Sequence, residues 1–338
     1  MSENEQSLTV ATALIAGSEA QDAALRSVIH LWAKAKTSES AFRPEDLVRK
    51  KREAVESFFS FVGKNPGEVD ELDIERWLER LREQKLKPAT VYARVSFVSS
   101  FYRWAMRGPA VGAQIRANPV LLARPKAPRA YQTDSTKAWT DDELQAIVAT
   151  VESRADKDLV GKRDLALLRM YMATGRRREE IISLRGRDVR LLDEGLEVGG
   201  RMKGGRYRTM KVEDPEVKAA LVDYLTAAKR LHVFKTAAPL WTRHDHPKFA
   251  GEPLTSYAFV KNLKRYARNA GVGDVHLHQT RHTFARIVQE ETGSFNETQE
   301  ALDHENLATT RVYVQRIAVK VDKHSRKVAE RMRPSSKS

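Results

Sequence analysis

The chain has 338 residues, with 59 Lys and Arg against 45 Asp and Glu, a formal net charge of +14. At about 100 to 200 residues per domain this length predicts two domains, and 41% hydrophobic residues are enough to bury a core in each, which excludes whole-chain disorder. The absence of cysteine excludes disulfide frameworks, thiolate zinc sites and cysteine nucleophiles. No run approaches the length of uninterrupted apolar residues that a membrane span needs. The chain opens on Glu3 and Glu5 rather than on a basic segment followed by an apolar one. A cytoplasmic chain with no membrane partner is the expectation, and its basic charge points to a polyanion, nucleic acid above anionic lipid.

In chain order, residues 1–20 are small and polar without sustained periodicity and read as a flexible tail. Residues 21–120 read as an all-helical domain. Helices are predicted from Asp22 to Lys36, from Pro44 through Phe58 and Phe59 to Gly63, after Asp70 as N-cap, and from Pro88 to Ala105. In the third of these, Ile74, Trp77, Leu78 and Leu81 fall at i, i+3, i+4 and i+7 and form one buried face.

Between residues 81 and 130 there are ten basic side chains and one acid, Glu83. Solvated helix faces normally mix signs, so this stretch, with Arg82, Lys87, Arg94, Arg103 and Arg107, reads as a surface that faces phosphates. Pro125, Pro128 and a polar run then interrupt periodicity, giving a linker over 121–137.

Residues 138–338 read as a second domain, mostly helical. It opens on Thr140 and Glu143 in capping-box register. Further helices are read at about 163–173, 179–184, 215–231, 256–269, 279–291, 297–301 and 308–316. Between them, 195–212 carries apolar residues flanking Gly204 and Gly205, the pattern of a small antiparallel hairpin or three-strand sheet. Arg201, Lys203, Arg206 and Arg208 cluster in it. A phosphate loop at Gly199–Gly205 is dismissed, because Gly205 and Arg206 occupy the Lys and Ser or Thr positions. His244 and His246 lack further ligands at suitable spacing, so no metal site is read there.

Three segments carry chemistry. The first is Thr174-Gly175-Arg176-Arg177-Arg178-Glu179-Glu180, a glycine turn that delivers an arginine to the start of a helix. The second is His278-Gln279-Thr280-Arg281, with His278 and Arg281 on one helix face. The third is Leu302-Asp303-His304, with Tyr313 nine residues on.

In this order they resemble the tyrosine recombinase (phage integrase) family, whose motifs are Thr-Gly-x-Arg-x-x-Glu, a hairpin Lys, His-x-x-Arg, Leu-Gly-His and a following Tyr. The helical first domain is similar to the family's core-binding, DNA-gripping domain. The resemblance implies that Arg177 and Arg281 bind the scissile phosphate, with Lys203 as the hairpin lysine and His278 and His304 as the active-site histidines. It further implies that Glu180 supports the site and that Tyr313 is the nucleophile.

The departures are Asp303 for the usual Gly, Arg176 and Arg178 for apolar neighbours of the first arginine, and Gln279-Thr280 for Asp-Leu. None of these removes a reacting group. Two guanidiniums and two imidazoles can meet the charge of a five-coordinate phosphorus, so no metal or other cofactor is called for.

The implied activity is site-specific recombination of double-stranded DNA through a 3′-phosphotyrosine and a Holliday junction in a homotetramer, with or without accessory DNA-bending proteins. The C-terminal segment, where Ile317, Val321, Val328 and Met332 are apolar among cations, would form a helix docking on a neighbouring subunit. A type IB topoisomerase and a non-enzymatic DNA-binding protein on the same fold remain as alternatives.

Overall fold

The computed structural model describes residues 18–38, 44–108, 115–127, 137–201 and 207–302. The chain divides into two compact units that part between Arg129 and Ala130.

The first unit is helical: α1 (Ser18–Ala35), α2 (Pro44–Val62), α3 (Glu71–Glu83), α4 (Pro88–Ala105) and a single turn, α5 (Val120–Ala123). Of the tail read over 1–20, residues 18–20 thus belong to α1; the rest lies outside the described residues. The expected face of α3 is buried at Ile74, Trp77, Leu78 and Leu81. It meets an aromatic core in which Phe58 packs edge-on against Trp77, and Trp32 and Phe59 against Phe101.

Asp70 caps α3 by accepting from the Asp73 backbone N–H at 2.9 Å. Asp73, itself buried, takes Lys64 Nζ at 2.7 Å and pairs with Arg76. Its carboxyl is thereby held below the usual range: burial raises it, but these bonds together outweigh burial.

α5 falls where proline ends the periodicity, and one turn is too short to show a helical period. Buried Asn118 makes it, donating to the Ser99 carbonyl at 3.2 Å and accepting from the Val120 N–H at 3.1 Å.

The second unit contains α6 (Asp141–Ala155), α7 (Leu159–Thr174), α8 (Arg178–Ile182), strands β1 (Val189–Leu192), β2 (Gly195–Arg201) and β3 (Tyr207–Val212), then α9 (Pro215–Ala227), α10 (Ser256–Asn269), α11 (His278–Thr292) and α12 (Phe295–Ala301). The three strands form one antiparallel sheet in sequence order, with Val198 opposite Met210 and Gly200 opposite Arg208.

The Thr140–Glu143 capping box is present in both directions. α7 starts four residues before the periodicity suggested, because Asp158 caps it at Gly161 N–H, 2.8 Å away. A Cβ on Gly161 would lie 2.3 Å from the Arg154 carbonyl, so glycine lets α6 and α7 approach closely.

α9 ends at Ala227, short of the expected residue 231, where Lys229 takes a left-handed φ of 57° and the chain turns into a short 3₁₀ segment. The core packs Trp139, Tyr171, Phe259, Tyr224 and Trp241, with Trp241 Nε1 donating to the Ile181 carbonyl at 2.8 Å.

A charged pair lies inside this core. Arg163 Nε donates to Asp164 Oδ1 at 2.9 Å and its Nη1 to the Thr242 carbonyl at 3.1 Å. Asp164 also accepts from Asn262 and Tyr266. The Asp164 carboxylate is thus satisfied on both oxygens, while Arg163 Nη2 makes an ion contact with Asp164 Oδ1 at 2.8 Å but no hydrogen bond among the described residues.

Among the described residues no helix is long and apolar enough to cross a membrane.

Candidate active site

The site grows from the end of α7. Gly175 takes a left-handed φ of 57° as its C-cap, and a Cβ there would lie 2.2 Å from Phe284 Cδ1. Both the backbone sign and the aromatic neighbour therefore require glycine. The turn carries Arg177 to the N-cap of α8. There its backbone N–H donates to Glu180 Oε2 at 2.9 Å and its Nη1 to Oε1 at 3.1 Å. Glu180 is buried, its side chain 1% exposed, while that of Arg177 is 30% exposed. The carboxylate thus fixes both ends of an arginine that stays partly exposed.

Arg281, on the first turn of α11, approaches the same turn from the other side. It is buried, and Nη1 donates to the Gly175 carbonyl and Nη2 to the Leu302 carbonyl, both at 2.6 Å. One guanidinium therefore ties the end of α7 to the end of α12, and Leu302 leads directly into Asp303 and His304. His278 lies one turn before Arg281. Its imidazole is held down to about 4, by the surrounding protein first and then by the guanidiniums of Arg281, Arg177 and Arg178. The residue is exposed, so the desolvating share acts on part of the ring, whereas the three cations act in the same direction from close by. His278 is neutral at pH 7.

Of the residues expected at the site, Arg177, Glu180, His278 and Arg281 are thus brought around Gly175. Lys203, His304 and Tyr313 lie outside the described residues, as does the C-terminal segment. In the first unit, Arg82, Lys87, Arg103 and Arg107 are exposed and Arg94 is half-buried. Among the described residues none of the five pairs with a carboxylate.

Three supporting residues escape a reading of the sequence. His282 is buried, its ring set edge-on to His278 with centroids 4.9 Å apart; its place one turn beyond His278 was the available signal. Thr283 accepts from the Trp139 backbone N–H at 2.9 Å, clamping α11 to the start of the unit. Arg176 is buried against the sheet rather than solvated, and nothing in the local sequence signals that.

The profile of the phage integrase family matches residues 137–318. The tyrosine recombinase XerC of Xanthomonas campestris pv. campestris is 31% identical over 248 residues, covering 73% of this chain and 70% of that protein. The tyrosine recombinase XerD of Lacticaseibacillus casei is 29% identical over 247 residues, covering 71% and 76%. The fold is similar to that of the XerH site-specific recombinase bound to palindromic difH substrate, at a TM-score of 0.68 and 18% identity over 91% of this chain and 96% of that one. It is also similar to a lambda integrase dimer bound to a core site, at a TM-score of 0.60 and 17% identity over 82% and 92%. With a family profile spanning more than half its length and a relative of 31% identity aligned along most of both chains, the protein belongs to the phage integrase family, the tyrosine recombinases.

Proposed function

We propose that this protein is a site-specific DNA recombinase that cuts and rejoins strands by transesterification, with Tyr313 as nucleophile. The observation that carries the reading is the convergence of Arg177 and Arg281 on the Gly175 turn, each rigidly held. A phosphodiester repels nucleophiles, and attack places more charge on its non-bridging oxygens. Two always-ionised planar forks meet that charge without reorganising at the moment of reaction. His278, neutral at working pH, contributes hydrogen bonds to the phosphate rather than a third positive charge, and His304 is its counterpart beyond Leu302.

The Tyr313 hydroxyl gives up its proton to solvent. Its oxygen, as phenolate beside the cations, bonds to phosphorus as the bond from phosphorus to the 5′-oxygen breaks, and Lys203 gives that 5′-oxygen its proton. The product is a 3′-phosphotyrosine and a free 5′-hydroxyl, which attacks the phosphotyrosine of a partner duplex. The ester energy is retained, so neither nucleotide nor metal is required.

Exchange runs through a Holliday junction in a homotetramer on DNA, as in the lambda integrase tetramer whose structure on a junction shares this fold at a TM-score of 0.57. The cations of the first unit, including Arg82, Lys87, Arg94, Arg103 and Arg107, grip the duplex backbone. The protein acts on DNA in the cytoplasm, associated with the nucleoid while bound.

Denaturing gels with end-labelled duplex test this. The wild type leaves a covalent adduct that chelator does not suppress. Tyr313→Phe binds the duplex equally but forms none. An undiminished adduct in that variant would place the nucleophile elsewhere.

A further inference from the structure

Arg176 stands where the family pattern has an apolar residue, between two residues of the site. Its side chain is buried, 4% exposed. Nη1 donates to the Gly199 carbonyl at 3.3 Å, and Nη2 to the carbonyls of Val198 at 3.0 Å and Arg208 at 3.3 Å. Those carbonyls belong to β2 and to β3, so a single planar group joins both strands to the active-site turn.

The Gly199-Gly200 pair lies beside this contact. A Cβ on Gly200 would lie 3.4 Å from Arg176 Nη1 and from Leu184 Cδ2, in ordinary van der Waals contact. A Cβ on Gly199 would lie 2.3 Å from the Tyr207 hydroxyl oxygen, which also bonds Asp188 Oδ1 at 3.3 Å. Successive strand residues face opposite sides of a sheet. Gly199 therefore clears one face of β2 for the Tyr207 ring, and Gly200 lies on the opposite face, beside the Arg176 guanidinium. Each residue of the turn is thus fixed by a buried partner: Gly175 by Arg281, Arg176 by the strands, Arg177 by Glu180.

We propose that Arg176 is a positioning residue that sets the β2–β3 hairpin against the Arg177 turn, so that Lys203, in the segment joining those strands, reaches the leaving 5′-oxygen. The proposal rests on the recombinase reading and on Lys203 as the proton donor. Lys203 serves an alkoxide leaving group, and that need disappears when the bridging 5′-oxygen is sulfur, because a thiol of pKa about 8.5 leaves as thiolate. Loss of Arg176 then resembles loss of Lys203 and differs from loss of Arg177, whose charge on the non-bridging oxygens sulfur does not replace.

The experiment measures adduct formation by the full chain on a duplex carrying the cleavage site mapped from the wild-type adduct, with oxygen or sulfur at the bridge. Arg176→Leu is expected to slow cleavage of the oxygen substrate about 10²-fold, the cost of a misplacement of order 1 Å, and to recover to within a few-fold of wild type on sulfur. Lys203→Ala should behave alike, the Arg176→Leu/Lys203→Ala pair should be no slower than Lys203→Ala alone, and Arg177→Ala should stay slow on both substrates. Arg176→Lys keeps a buried cation whose donors sit on one nitrogen rather than on a planar fork. It is expected to show a smaller loss with the same recovery on sulfur, and it serves where the leucine variant does not fold. If Lys203→Ala recovers on sulfur while the Arg176 variants do not, or if their defects add, the positioning role is overturned with the mechanism intact. If Lys203→Ala itself does not recover, the proton donor is elsewhere and the positioning role falls with it.

Discussion

Gly175→Ala concentrates several demands of the fold on one methyl group. The residue is in the left-handed region at a φ of 57°, which costs a non-glycine residue about 1 to 2 kcal/mol. The added Cβ would also lie 2.2, 2.6 and 2.7 Å from three carbons of the Phe284 ring, and relieving such overpacking costs about 1 to 3 kcal/mol. The two shares sum to about 2 to 5 kcal/mol, and the lower half of that range is expected because Phe284 is only partly buried and can give way in part. In a Phe284→Ala background the steric share vanishes and the same substitution should cost only the backbone share of about 1 to 2 kcal/mol. Urea unfolding of the four proteins of this cycle, compared at constant denaturant slope, reads the two shares separately. The Gly175 carbonyl accepts from Arg281, so adduct formation in Gly175→Ala should fall by more than DNA binding does. Equal costs in the two backgrounds, or a cost under about 1 kcal/mol in the parent, would refute the claim that ring and backbone together dictate glycine here.

Two further outcomes follow from charge. His244 and His278 are both held down to about 4, by desolvation first, which acts on only part of the exposed His278 ring, and then by neighbouring guanidiniums. An unfolded imidazole titrates near 6.5, so between pH 6.5 and 4 the unfolded chain binds more protons, and stability present above pH 6.5 drains away as pH falls through that window. His244→Gln should flatten this fall in urea midpoints; an unchanged slope would mean that the histidine does not carry it. In the first unit, converting Arg82, Lys87, Arg103 and Arg107 to Ala should weaken duplex binding irrespective of sequence. It should also lower the log-log salt slope by about 0.9 for each phosphate that is no longer neutralised, and an unaltered slope would remove this face from the DNA grip.

Much of this architecture is written locally. The spacing of Ile74, Trp77, Leu78 and Leu81 determines one face of α3, and the Thr140–Glu143 pair determines the start of α6, because caps and helical periodicity act within a few residues. The Thr-Gly-x-Arg, His-x-x-Arg and Leu-x-His-to-Tyr spacings carry the resemblance from which the site residues are proposed. What the chain order cannot convey is which buried group closes on which. Arg281 meets carbonyls 106 and 21 residues away, and Arg176 bonds strands 22 to 32 residues downstream. A bond to a backbone carbonyl leaves no mark on the side chain of the residue that accepts it. In the sequence Arg176 is therefore only a departure from an apolar neighbour of Arg177, because a guanidinium is buried only when packing brings enough acceptors within reach to replace water.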